Sequence, residues 1–215
     1  MKKTLSTLAI ALFVATPAMA YEPGDWIFRG GVTQIDPDTA SDPVTIDGAD
    51  SGGEIDVESD TQLGLTATYM LSNRLGIEVL AATPFTHTVV ATEGLSGLGD
   101  IADVTVLPPT ISAVYYLTDG KKFNPYVGVG INYSFMYDED GKGSFDGERV
   151  KIDDSVGVAI QVGSDFEINP RLHFNASVRW IDIESDAKLS LSGQTVETTA
   201  DIDPLVYSLM LGYDF

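Results

Sequence analysis

His87 and His173 are the only imidazoles in a chain of 215 residues that has no cysteine. Nucleophilic catalysis would need a serine hydroxyl within reach of a base that a third group holds in place. His173 has Asn175 rather than Ser two residues on, and His87 stands between Thr86 and Thr88 at a loop root, so the chain does not read as an enzyme. The stretch DEDGKGSFDGER (138–149) imitates a calcium loop, with Asp138, Asp140, Gly143 and Asp146 at its positions 1, 3, 6 and 9. It fails at position 5, which is Lys142, and at position 12, where Arg149 replaces the bidentate Glu. GVGIN (128–132) is no phosphate loop; its two glycines make room inside a narrow fold. No metal or cofactor is implied. What remains is a scattered polar set, Arg29, Glu78, Tyr126, Asp165, His173, Arg179 and Asp214, that only long-range folding can bring together.

The elements that would do so are strands. The chain ends LVYSLMLGYDF, in which Leu205, Tyr207, Leu209, Leu211, Tyr213 and Phe215 alternate with Val206, Ser208, Met210, Gly212 and Asp214. A period of two is a strand with two unlike faces. Seven further stretches share it: about 26–36, 61–70, 75–85, 106–117, 125–137, 153–166 and 172–183. Each is near the length of a tilted strand crossing a bilayer. The links alternate between short (71–74, 118–124, 167–171) and long (about 37–60, 86–105, 138–152, 184–202). An even strand count with short turns on one side predicts an all-β, eight-stranded antiparallel transmembrane β-barrel with short periplasmic turns and long extracellular loops.

A soluble β-sandwich would also alternate. The aromatics decide against it. Tyr69, Tyr115, Tyr133, Phe135, Tyr137, Phe174, Trp180, Tyr213 and Phe215 fall near strand ends on the apolar face, where girdles meet the membrane surfaces. A closed barrel also has no free edge, so the last strand can end on an aromatic facing lipid.

Residues 1–20, MKKTLSTLAIALFVATPAMA, read as a signal peptide: Lys2 and Lys3, an apolar run, then Ala18-Met19-Ala20 before a cleavage site at Tyr21. The barrel domain is then 21–215, exported to the outer membrane of a Gram-negative bacterium. Loss of Lys2 and Lys3 takes the basic count from 12 to 10 against 32 acidic residues, a net charge of −22. Such a chain does not bind nucleic acid or dock on anionic lipid by charge. The run 36–60, with Asp36, Asp38, Asp42, Asp47, Asp50, Glu54, Asp56, Glu58 and Asp60, reads as a solvated, disordered loop.

WIFRGGVTQIDP at the first strand, LPPT at 107–110, FNPYVGVGINYSF at 123–135 and the terminal LMLGYDF resemble the OmpW family of small outer-membrane proteins. The middle two are the more specific, since alternation alone does not demand a Pro-Pro pair or a Gly-Val-Gly-Ile-Asn-Tyr run. The resemblance covers the whole mature chain. It implies an eight-stranded barrel with an apolar interior, associated with passage of small hydrophobic molecules. It also implies that Phe215 is the terminal aromatic read by the barrel-assembly machinery, and that the surroundings are outer-membrane lipid and lipopolysaccharide.

Sorted by height, the inward residues fall into two sets. Toward the periplasm they are polar, and Arg29, Glu78 and Arg179 form the expected plug. Toward the outside they are apolar, with Ile35, Leu80, Met136, Ile181, Ile183 and Met210 lining a cup, among neighbours that include Ala82, Pro84, Pro108 and Val206. Pro84, Pro108 and Pro109 lie at one height on neighbouring strands, and proline cannot donate a ladder hydrogen bond, so the wall is expected to be weak there. The favoured function is passive passage of small hydrophobic molecules with sideways release. The alternative is a non-transporting surface barrel whose acidic loops bind divalent ions, envelope lipid or an extracellular partner.

Overall fold

The computed structural model describes residues 21–118, 122–191 and 194–215. Residues 1–20, read from sequence as a signal peptide, lie outside the described residues, as does the centre of the second short turn. Eight strands form the wall: Trp26–Asp36, Asp60–Met70, Leu75–Ala82, Thr110–Tyr116, Phe123–Gly141, Ser155–Asn169, Leu172–Ile181 and Leu205–Asp214, here β1 to β8. Each pairs antiparallel with its neighbours, and β8 closes on β1 from Ile27 opposite Asp214 to Asp36 opposite Leu205. The sheet thus closes on itself and has no terminal edge strand, which is what a sheet in hydrocarbon requires.

The outer face is greasy: Leu63, Leu65, Val129, Ile131, Val156, Val158, Leu209 and Leu211 are all exposed. Aromatics gather at its ends. Trp26, Phe28, Tyr69, Tyr213 and Phe215 cluster around the periplasmic rim, with Phe28 and Phe215 edge to face at 5.5 Å. Tyr133 and Phe135 pack together at the opposite end of β5.

The long links are not solvated loops. The acidic run 36–60 was expected to be disordered, yet Gly53–Val57 pairs with Phe85–Glu93, and short strands at Ala40–Ser41 and Thr45–Ile46 pair with Gln194–Asp201. Phe85–Glu93 pairs with Asp100–Leu107, which pairs in turn with the upper half of β5. Arg149–Ile152, Glu184–Leu191 and Gln194–Asp201 continue the ladder around the mouth. The physical reason is the alternation hidden among the charges. Val44, Val89, Ala91, Ala102, Val104, Val106, Leu189 and Ala200 turn inward and are buried, while the acidic residues between them face water. The barrel therefore rises well above the girdle as a walled vestibule. DEDGKGSFDGER belongs to this wall: Asp140 pairs with Arg149 across the ladder, and Lys142 Nζ sits 2.7 Å from Asp103.

Candidate functional site

The lumen is layered. At the periplasmic mouth Tyr21 packs on Tyr116, ring centres 4.7 Å apart, within a cluster of Ile27, Met70, Val114, Tyr116 and Tyr126. The lower lumen is thus an apolar, aromatic floor beneath the charges, not a uniformly polar zone. Tyr21 Oη donates to Asp165 Oδ2 at 2.7 Å, so the residue after the expected cleavage site is threaded into the barrel.

Above this floor Arg29 donates from Nε and Nη2 to Asp165 at 3.1 and 2.8 Å, a two-pronged bond to one carboxylate. Its Nη1 reaches Thr68 Oγ1 at 3.0 Å and Glu78 Oε2 at 3.2 Å, and its Nη2 also reaches Tyr116 Oη at 2.6 Å. Glu78 Oε1 accepts from Arg179 Nη2 and from Gln161 Nε2, each at 2.9 Å, and Gln161 Oε1 accepts from Arg179 in turn. Gly128 leaves the space Gln161 needs, since a Cβ there would lie 2.7 Å from its Nε2. Arg29, Glu78, Asp165 and Arg179 are all at most 5% exposed. Two cations and two anions are hydrogen-bonded to each other and to neutral partners, so each buried charge is paired, although Arg179 Nε has no partner among the described residues. His173 lies between two carboxylates, Nε2 3.4 Å from Asp165 and Nδ1 3.4 Å from Asp214, in room that the bare Gly212 provides. Its neighbours are acids, not a serine.

The apolar layer comes next: Ile35, Phe85, Ala159, Ile181, Ile183 and Val206, with Ala82, Met136 and Ile202 against them. Over it lies a cavity of about 130 Å³ walled by Ile35, Val89, Val104, Met136, Ile181 and Ile183 among others. Of the residues expected to line a cup, Ile35, Met136, Ile181 and Ile183 do line this cavity. Leu80 and Met210 point inward and are buried, but they lie below it toward the plug. Most of the cavity wall comes from the vestibule, whose strands were read from sequence as loop. Val104 and His87 were missed as cavity residues for that reason.

The three prolines occupy one seam. β3 pairs with β4 up to Leu80 opposite Thr110, and pairing resumes with Phe85 opposite Val106, one register step out. Residues 81–84 and 107–109 have no ladder partner across it, so the prolines interrupt the pairing and do not lie beyond its end. Pro108 is buried, but Pro84 is exposed, against the inward position expected for it. The one-step shift explains this: it moves Phe85 and His87 onto the inner face in its place. Asn132, fully buried, donates from Nδ2 to the carbonyls of Pro108 and Pro109 at 3.1 and 3.2 Å.

The OmpW family model matches residues 22–215. The chain belongs to the OmpW family. Outer membrane protein W of Vibrio cholerae is 39% identical over the whole of both chains. The crystal structure of the outer membrane protein OprG from Pseudomonas aeruginosa is 39% identical, with a TM-score of 0.84 over 91% of this chain and 98% of that one. The solution structure of Escherichia coli outer membrane protein W is 38% identical, with a TM-score of 0.60 over 91% of this chain and all of that one. This OmpW-family barrel is an outer-membrane protein of a Gram-negative bacterium, and its relatives are named as outer-membrane proteins, not as enzymes.

Proposed function

We propose that the barrel is a passive conduit that takes small hydrophobic molecules from outside into the vestibule and releases them sideways into the membrane. The observation that carries this reading is an apolar cavity, about 130 Å³, standing directly over an apolar layer and a fully paired ionic plug. An apolar cavity of roughly 150 Å³ holds one benzene, so the volume suits a single small solute. Downward passage would require breaking buried ion pairs, at several kcal/mol each. The proline seam between β3 and β4 lies at the height of the apolar layer and is a place where two neighbouring strands lack ladder bonds to each other. A Pseudomonas aeruginosa relative, 25% identical over the whole chain, is named for a dibenzothiophene metabolism operon, which fits handling of an apolar solute by that protein.

The test is uptake of a small hydrophobic fluorophore by proteoliposomes whose outer leaflet carries lipopolysaccharide, compared with protein-free vesicles and with Ile181→Asp/Val104→Asp. Faster uptake that the double variant abolishes is expected. Equal uptake in all three, with the barrel folded, would leave the lumen as packing and shift the function to the acidic outer surface.

A further inference from the structure

The cavity wall is apolar with few exceptions, and those exceptions differ in kind. Ser185 Oγ donates to Asp153 O at 2.5 Å, Thr198 Oγ1 donates to Asp42 O at 2.8 Å, and Lys188 pairs with Glu197 at 3.1 Å. Each turns its polar group to a partner in the wall. His87 is different. It is 4% exposed and lines the cavity, and its one hydrogen bond runs from Nδ1 to Glu58 O at 2.7 Å. A carbonyl oxygen only accepts, so Nδ1 must carry the proton. In a neutral ring that leaves Nε2 with a bare lone pair. Among the described residues nothing bonds to it. The ring is held flat against Phe85 of the apolar layer, centres 6.1 Å apart and planes 15° from parallel. Burial lowers the proton affinity of His87, outweighing the Glu58 bond and the charge of Asp60, so the neutral form prevails at pH 7.

We propose that His87 Nε2 is the hydrogen-bond acceptor of the solute cavity, and that it selects small hydrophobic molecules bearing one hydroxyl, such as phenols, over hydrocarbons of equal size. This rests on the conduit reading and narrows its solute class. Water can reach this acceptor while the cavity is empty; an apolar solute strips that water and returns no bond, whereas a solute hydroxyl replaces it. The arrangement would not exclude hydrocarbons; it would rank them second.

The probe pair is phenol and toluene, which differ by a hydroxyl in place of a methyl. Full-length mature barrel in lipid nanodiscs, with ¹⁵N-labelled histidine and ¹³C-labelled isoleucine methyls, would be titrated with each, and empty nanodiscs would correct for partitioning. Both solutes should shift the Ile181 and Ile183 methyls, but only phenol should shift His87 Nε2. The corrected preference for phenol should fall roughly three- to tenfold in His87→Phe, matching the net worth of about one hydrogen bond. If the methyls respond to both solutes with equal affinity and Nε2 does not move, the His87 assignment is overturned and the cavity stands. If neither solute moves the methyls, the cavity reading falls and this assignment with it.

Discussion

Arg29 ties the lumen's charges together, because among the described residues it is the one group bonded to both Glu78 and Asp165. Its guanidinium reaches Asp165, Glu78, Thr68 and Tyr116 from a position 2% exposed. Arg29→Met removes the cation and leaves Asp165 with His173, Asn175 and Tyr21 alone. The expected loss is about 3–5 kcal/mol, the cost of leaving a buried charge without its partner. Reversible unfolding in lipid vesicles would measure it, and a loss under about 1 kcal/mol would mean water already reaches the layer. His87 makes a prediction of opposite character. Its folded pKa lies below the ordinary value of about 6.5, so below that pH the unfolded segment binds more protons than the folded one. Stability of the vestibule is therefore complete above about pH 6.5 and declines as pH falls toward the folded pKa. The bond to the Glu58 carbonyl and the charge of Asp60 pull the other way and keep the effect modest. Amide exchange at Val57 and Val89 should accelerate below pH 6.5 relative to the barrel amides, and His87→Phe should flatten that dependence.

At the scale of the elements, the seam is an interruption of the wall with a definite backbone cause. Successive residues of a strand turn their backbone groups to opposite neighbours. Thr83 N bonds to Leu63 O of β2, which turns the missing donor of Pro84 toward β4. Pro109 O accepts from Tyr133 N of β5, which turns the missing donor of Pro108 toward β3. The two absences thus face one another. Pro84→Thr/Pro108→Val returns both donors, and the amides of 81–84 should become protected from exchange. If solutes leave through the seam, delivery into lipid should slow several-fold while cavity occupancy stays the same. Unchanged delivery with newly protected amides would place the exit elsewhere. The three prolines were legible in the sequence, and so was the alternation on either side of them. The register step at Phe85 was not, because a single-residue slip in a ladder leaves no trace in composition and depends on what the neighbouring strand offers. Tyr21 was similarly hidden. Its sequence position marks a cleavage site, and only the closed barrel brings it to Asp165, 144 residues away.

The whole molecule has two compartments with different rules. The membrane-spanning part was readable because lipid imposes a strict code, apolar outward at every second position, and β1 to β8 obey it. The vestibule was hidden because water permits charge on its outer face, so acidic residues masked an inward apolar series that was no less regular. The asymmetry between the two ends yields the last prediction. If the route is from vestibule to seam, the ionic plug is a seal off the path, and breaching it should change ion leakage and nothing else. Glu78→Ala/Arg179→Ala removes a pair together, leaving Arg29 bonded to Asp165 and Thr68, so no single charge of that pair is stranded. Wild-type barrels in planar bilayers should conduct ions poorly, because the buried pairs and the Tyr21 floor leave no hydrated path. The double variant should show discrete conductance, while uptake of the hydrophobic fluorophore into vesicles stays within about twofold of wild type. Conductance and uptake rising together would put the solute's route straight through the plug toward the periplasm, and the seam would lose its role. The experiment separates the routes because an ion needs a continuous column of water and an apolar solute does not.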